Sequence, residues 1–129
     1  MTYAQLRADA RAIARRMNGL GLERGSRVAL IAETHPDFQR FFFACQYAGL
    51  VPVPVAPPLH LGGREAYVRN LSRLLSDCQA SMVIGPSPCV SLLAEAAEGL
   101  HLRFVGSAED FGHFPEEHSA LRPLADGEL

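Results

Sequence analysis

Residues 41–58 read FFFACQYAGLVPVPVAPP. Up to Ala48 this stretch is almost wholly apolar, which predicts a buried helix that ends at Gly49. Residues 50–55 then predict a strand that is apolar on both faces, and such a strand belongs in a parallel sheet covered on both sides. Pro52 and Pro54 each remove a backbone donor on the same side, so we expect this strand to be short, irregular or at an edge of the sheet.

Helices and strands alternate on either side of this stretch. The hydrophobic patterns predict helices near residues 2–17, 35–48, 64–79 and 88–98, and strands over 27–32, 50–55, 81–84 and 102–105. Alternation of this kind favours a parallel sheet with helices on both faces. The predicted fold class is therefore α/β, a doubly wound subdomain of three layers.

Three residues mark helix ends. Thr2, with Gln5 three residues later, matches the capping box of a helix start. Gly19 is expected to end the same helix in the left-handed conformation. Thr34 is expected to cap the second helix, in which Pro36 is tolerated because it lies in the first turn.

Composition excludes several classes of protein. The 129 residues carry a formal net charge of −2, whereas a nucleic-acid binder of this size would normally show a basic excess. Cys45, Cys78 and Cys89 have no metal-ligand spacing and are interpreted as small buried residues in a reducing compartment. Neither a signal peptide nor a membrane-spanning run is evident, so we expect a soluble, cytoplasmic protein without a membrane span.

Ligands of parallel sheets bind at the carboxyl ends of the strands, where residues 33–35, 56–58, 85–87 and 106–107 are expected to lie. No G-x-G-x-x-G follows the first strand and no G-x-x-x-x-G-K-[ST] occurs. A receiver-type phosphorylation site would need carboxylates after two strands, and only Glu33 is available. A flavodoxin-like redox protein would need a hydroxyl-rich phosphate loop after the first strand, which is also missing.

A few residues could still carry chemistry. Gly62, Gly63 and Arg64 could hold an anion at the start of the third helix, although a loop with an exposed arginine is the simpler interpretation. His35, beside Asp37, fits a solvated cap residue better than a general base. An aromatic stripe on the second helix is most simply core, but such a helix edge can also line an acyl pocket; it comprises Phe38, Phe41 and Phe42. We predict no catalytic residue and no metal site.

Three segments resemble the adenylate-forming enzymes, the superfamily of acyl-CoA synthetases, fatty acyl-AMP ligases and nonribosomal adenylation domains. They are TYAQL at residues 2–6, GSRVAL at 25–30 and FACQYAGLVPVP at 43–54. The Tyr-Ala-Gly at 47–49 followed by Ala-Pro-Pro at 56–58, together with residues 69–84, is most similar to the fatty acyl-AMP ligase branch. The resemblance covers nearly the whole chain in the same order.

The resemblance implies a catalytically incomplete N-terminal fragment. Residues 1–106 would form the α/β subdomain, and 107–129 an irregular tail that leads toward a missing ATP-binding loop. The full-length enzyme would use ATP and Mg to convert a fatty acid to an acyl-adenylate, and would pass the acyl group to CoA or an acyl carrier protein. The alternative is a stand-alone α/β binding or interaction module without catalysis.

A fragment would expose surfaces that pack on the missing parts. We expect an apolar patch that favours self-association, formed by Phe111, Phe114, Leu121 and Leu124.

Overall fold

The computed structural model describes residues 2–32, 35–58 and 63–112. Helices and strands alternate along these residues, as the sequence predicts. In chain order they are α1 (Tyr3–Asn18), β1 (Arg27–Ile31), α2 (Pro36–Ala48), β2 (Val51–Val55), α3 (Gly63–Asp77), β3 (Ala80–Ile84), a 3₁₀ turn (Ser87–Cys89), α4 (Val90–Ala96), β4 (Phe104–Gly106) and α5 (Ala108–Phe111).

The four strands form one parallel sheet in the order β2-β1-β3-β4. β2 therefore lies at an edge, as its two prolines predict. The Val51 amide donates to the Ser26 carbonyl oxygen at 2.9 Å. Since alternate residues of a strand direct their amides to opposite sides, Pro52 and Pro54 face the open edge, where no hydrogen bond of the sheet is lost.

Two hydrophobic cores lie on opposite faces of the sheet. On one face α1, α2 and α5 pack against Val28 and Leu30 of β1 and Met82 of β3. On the other face α3 and α4 pack against Ala29 of β1 and Val83 of β3. This alternation confirms the predicted three-layer α/β class, because a strand with side chains buried on both faces needs a helix layer on each.

The helix ends confirm one prediction and correct another. Thr2 caps α1 through a full capping box, with its Oγ1 accepting from the Gln5 amide at 3.1 Å. Gly19 does not adopt the left-handed conformation: its φ is −65°, and Gly21, with a φ of +70°, makes the reversal instead. Thr34 lies outside the described residues, and the N-cap of α2 is His35.

The predicted apolar patch at the end of the chain is wrong for Phe111. Its side chain is only 1% exposed and stands edge-on to Phe41 and Phe104, with ring centroids 5.5 and 5.1 Å apart. α5 carries it into the core, so the stretch after Gly106 begins with a helical turn. The other members of that patch, Phe114, Leu121 and Leu124, lie outside the described residues.

Cys45 and Cys89 are buried and Cys78 is half-buried, and none of the three forms a disulfide. Burial raises the pKa of the Cys45 thiol to about 12, so it stays protonated at neutral pH. This agrees with an inert packing role. Within residues 2–32, 35–58 and 63–112, no helix has the length and apolarity needed to cross a membrane.

Candidate functional site

A cleft opens at the carboxyl ends of β1, β3 and β4. β1 continues into α2 on one face of the sheet, whereas β3 continues through the 3₁₀ turn into α4 on the other face. Connections that leave two neighbouring strands in opposite directions leave a crevice between them, which is where α/β sheets bind ligands. The cleft has a volume of about 300 Å³.

The floor of the cleft is apolar and its rim is polar. Side chains of β1, α2 and β3 form the floor, including Leu30, Ile31, Phe38, Phe41 and Ile84. The polar lining residues are His35, Asp37, Ser87, Glu109 and the buried Ser107. Phe41 lies in the core, and Phe38 and Phe42 pack against it, as the simpler interpretation of the aromatic stripe predicts. Phe38 and Phe41 also line the cleft, and their contact with an acyl chain stays a prediction.

His35 acts as a helix cap. Its Nδ1 accepts a hydrogen bond from the Asp37 amide at 3.1 Å, and the same nitrogen lies 3.2 Å from Asp37 Oδ2. The backbone amide and the carboxylate of Asp37 therefore both lie within hydrogen-bonding distance of this one nitrogen, which holds His35 at the start of α2. The prediction that His35 is a cap residue rather than a general base agrees with this geometry.

Two other polar side chains of the cleft, those of Asp37 and Ser107, are also engaged. Asp37 Oδ1 accepts from Arg40 Nη1 at 2.9 Å. Ser107 caps α5 through a capping box, because its Oγ accepts from the Asp110 amide at 3.2 Å while Asp110 Oδ2 accepts from the Ser107 amide at 3.3 Å. These groups hold helix starts in place, and none of them is paired as a nucleophile with a base.

The structure brings five of the eleven predicted strand-end residues together. His35, Gly85, Pro86, Ser87 and Ser107 line the cleft, whereas Ala56 to Pro58 and Gly106 are not among its lining residues. Glu33 and Thr34 lie outside the described residues. The sequence analysis missed two further lining residues, Ala108 and Glu109, which follow Ser107. The spacing of Ser107 and Asp110 is that of a capping box and could have indicated a helix start at this position.

The predicted anion contact lies away from the cleft. Gly63 begins α3 and is exposed, and Arg64 Nη2 lies 2.5 Å from Oε2 of Glu95 on α4. An anion would have to compete with that carboxylate for Arg64. Gly62 lies outside the described residues, so the anion contact stays a prediction.

The cleft residues do not fit the cofactors that the resemblance implies. Glu109 places a carboxylate on the rim, where it would repel a triphosphate, and the Asp37 carboxylate is already bound by Arg40. Among the residues that the structure describes, no three His, Cys, Asp or Glu side chains cluster as metal ligands. We therefore assign neither ATP nor magnesium to this cleft.

Known proteins share both the sequence and the fold. A putative acyl-CoA synthetase of Caulobacter vibrioides is 45% identical over 95% of this chain, and a long-chain fatty acid–AMP ligase of Mycolicibacterium smegmatis is 32% identical over 81%. A solved structure from work on the fatty acyl-adenylate ligases of E. coli and L. pneumophila matches 95% of the chain with 40% identity and a TM-score of 0.87.

The chain spans only part of these proteins. It corresponds to 21% of the Caulobacter relative, 15% of the Mycolicibacterium relative and 22% of the solved structure. The model of a protein family described as "AMP-binding enzyme" matches residues 1–121, which is most of the chain. The chain therefore belongs to the family of AMP-binding enzymes.

Proposed function

We propose that this chain is part of an enzyme that activates a fatty acid. The enzyme joins the fatty acid carboxylate to the α-phosphate of ATP, which gives an acyl-adenylate and releases pyrophosphate. It then transfers the acyl group to CoA or to an acyl carrier protein. The residues of this chain supply a sheet-and-helix wall, and the reacting groups come from elsewhere in the enzyme.

The observation that carries this proposal is the match to the fatty acyl-adenylate ligase structure. A TM-score of 0.87 with 40% identity over 95% of the chain means that side chains as well as backbone are shared. The sequence resemblance to the fatty acyl-AMP ligase branch supports the same substrate class. ATP and magnesium are part of the proposal because adenylation consumes ATP, whose phosphates are normally held with Mg²⁺.

The cleft supports the assignment of a scaffold role to these residues. Its polar groups hold the starts of α2 and α5, and its apolar floor is continuous with the core. A general acid or base must be free to exchange a proton with the substrate. Asp37 is bound by Arg40, so its carboxylate is not placed for that task.

Pyrophosphate exchange tests the proposal. We expect the 129-residue chain to catalyse no exchange of labelled pyrophosphate into ATP with fatty acids of several lengths. The product of the whole reading frame should catalyse exchange that depends on the fatty acid. Exchange by the 129-residue chain alone would contradict the scaffold role, and exchange by the whole product with aromatic acids only would contradict the substrate class.

A stand-alone binding or interaction module is the second candidate. The coding sequence downstream of Leu129 separates the two. A stop codon at that point would favour the module, whereas a Ser/Thr/Gly-rich loop soon after it would support the adenylating enzyme.

A further inference from the structure

Two large apolar side chains are exposed among the residues that the structure describes. Tyr3 of α1 is 74% exposed and Phe43 of α2 is 38% exposed. They are not scattered, because both line one shallow depression between the two helices, together with Leu6, Arg7 and Tyr47. Single exposed apolar residues need no explanation, but neighbouring ones mark a surface that contacts something.

Two arginines lie against the aromatic rings of this surface. The guanidinium carbon of Arg7 is 5.8 Å from the centroid of Tyr3, and that of Arg11 is 5.4 Å from the centroid of Tyr47. Both distances are within the range of a cation–π contact. Stacking on a ring orients a guanidinium and leaves its N–H donors at the edge, where they can bind a carboxylate.

These two arginines differ from others on the protein. Arg40 and Arg64 each bind a carboxylate, whereas no carboxylate of the described residues forms an ion pair with Arg7 or Arg11. Arg7 and Arg11 therefore make this surface positive, although the whole chain has a net charge of −2.

We propose that this aromatic–arginine patch, formed by Tyr3, Leu6, Arg7, Arg11, Phe43 and Tyr47, docks an acidic segment of another protein. A small apolar side chain of that segment enters the depression, and carboxylates on either side of it bind Arg7 and Arg11. The charge complementarity selects the partner, and the rings supply the apolar contact.

The shape of the patch favours a protein over a lipid surface. The depression has a volume of about 30 Å³, which is close to the volume of one water molecule or one methyl group. A bilayer surface has no fixed protrusion that would fill it, whereas a helix or loop carrying an alanine or valine does. Tyrosine and arginine are also the residues that contribute most to binding at protein interfaces.

The patch is separate from the cleft at the strand ends. The cleft is bordered by His35 and Asp37 at the start of α2, whereas Phe43 and Tyr47 lie in its second half. At 1.5 Å per residue, Tyr47 is about 15 Å along the helix from Asp37. The partner that binds here is therefore not competing for the cleft, and under the proposed function the patch must remain exposed in the whole enzyme.

Peptide binding to the 129-residue chain tests the proposal. The probe is a fluorescent helical peptide of Glu, Ala and Leu, and its control replaces every Glu by Gln. We expect the Glu peptide to bind at least tenfold more tightly, with an affinity that falls as salt is added, because exposed charge pairs are screened. The double variant Arg7→Gln/Arg11→Gln should lose about tenfold in affinity.

A matched variant separates local from overall charge. Arg69→Gln/Arg73→Gln removes the same charge from exposed positions of α3 and should bind as the unchanged protein does. Phe43→Ser should weaken binding of both peptides. Equal losses in the two double variants would overturn the proposal, as would binding to phosphatidylserine vesicles without peptide binding. Self-association that Arg7→Gln/Arg11→Gln abolishes, with no peptide bound, would overturn it in favour of a second copy.

Discussion

The Arg40 guanidinium ties α2 to α1 through Asp9, with its Nε 2.9 Å from Asp9 Oδ2. Its Nη1 also binds Asp37 at 2.9 Å, so a single arginine joins carboxylates on two helices. Only 29% of the Arg40 side chain is exposed, so water screens its ion pairs less than it would those of a fully exposed side chain. This arginine fixes the start of α2 and with it the His35–Asp37 side of the cleft.

Replacing Arg40 by Gln should lower the free energy of unfolding by about 1 kcal/mol, because two carboxylates lose their shared partner. Urea denaturation measures the loss. The control is Arg64→Gln, whose ion pair with Glu95 is 51% and 50% exposed. Its loss should be about 0–0.5 kcal/mol, as for other well-hydrated pairs. A greater loss for Arg64→Gln than for Arg40→Gln would contradict the assignment.

A double-mutant cycle of Asp9→Asn and Arg40→Gln isolates the link between the helices. We expect a coupling free energy of about 0.5 kcal/mol, since both side chains remain partly hydrated. A coupling of zero would mean that the pair contributes nothing and that α1 and α2 are held by their apolar contacts alone.

Phe111 should be essential for stability, although it lies close to the end of the described structure. Truncation to Ala removes a ring that is 1% exposed and that contacts Phe41 and Phe104. We expect a loss of about 3–5 kcal/mol, the usual cost of removing a buried phenylalanine. Phe43→Ala, at a position 38% exposed, should cost less than about 1 kcal/mol. Similar losses at the two positions would contradict the burial of α5.

A comparison of α2 and β2 with Phe111 shows what the sequence could predict and what it could not. The Phe41–Pro58 stretch predicted α2, its end at Gly49 and the edge position of β2, because local periodicity and prolines act over a few residues. The burial of Phe111 depends on Phe41, which is 70 residues earlier in the chain. No local pattern carries that information.

The position of the cleft, like that of α2, was predictable from the sequence. The parallel sheet brought residues after β1, β3 and β4 to one edge, as expected from topology alone. The partner of Asp37 lies three residues later on the same helix, which local spacing could have indicated, whereas the partner of Arg64, outside the cleft, depends on how two helices pack. Glu95 binds Arg64 from another helix, 31 residues away in the chain.

Gly21 and Gly19 should respond oppositely to alanine. Gly21 has a φ of +70°, and an added Cβ would meet nothing within 4 Å, so its cost comes from the backbone alone. We expect Gly21→Ala to destabilise by about 1 kcal/mol. Gly19 has a helical φ of −65° and is exposed, so Gly19→Ala should be neutral or stabilising by up to about 1 kcal/mol. Thermal denaturation of both variants measures these changes in stability. A loss of stability in Gly19→Ala alone would support the left-handed cap that the sequence predicts at Gly19.

Cys45 should make stability fall in alkaline solution. Burial raises the pKa of its thiol from 9.0 to about 12, so above pH 9 the unfolded chain releases this proton while the folded chain keeps it. Stability is therefore constant with respect to this group below pH 9 and falls by at most about 1.4 kcal/mol per pH unit up to pH 12.

The variant Cys45→Ala isolates this contribution. Tyr67, whose pKa is raised from 10.0 to about 12 by burial and by the electrostatic effect of Cys89, steepens the fall in both proteins. Urea denaturation at pH 8 and pH 10 should therefore show a steeper decline for the unchanged protein than for Cys45→Ala. At pH 8 an aromatic disulfide reagent should modify half-buried Cys78 and leave Cys45 intact until the protein unfolds. Equal slopes, or fast modification of Cys45, would mean that α2 does not bury this thiol.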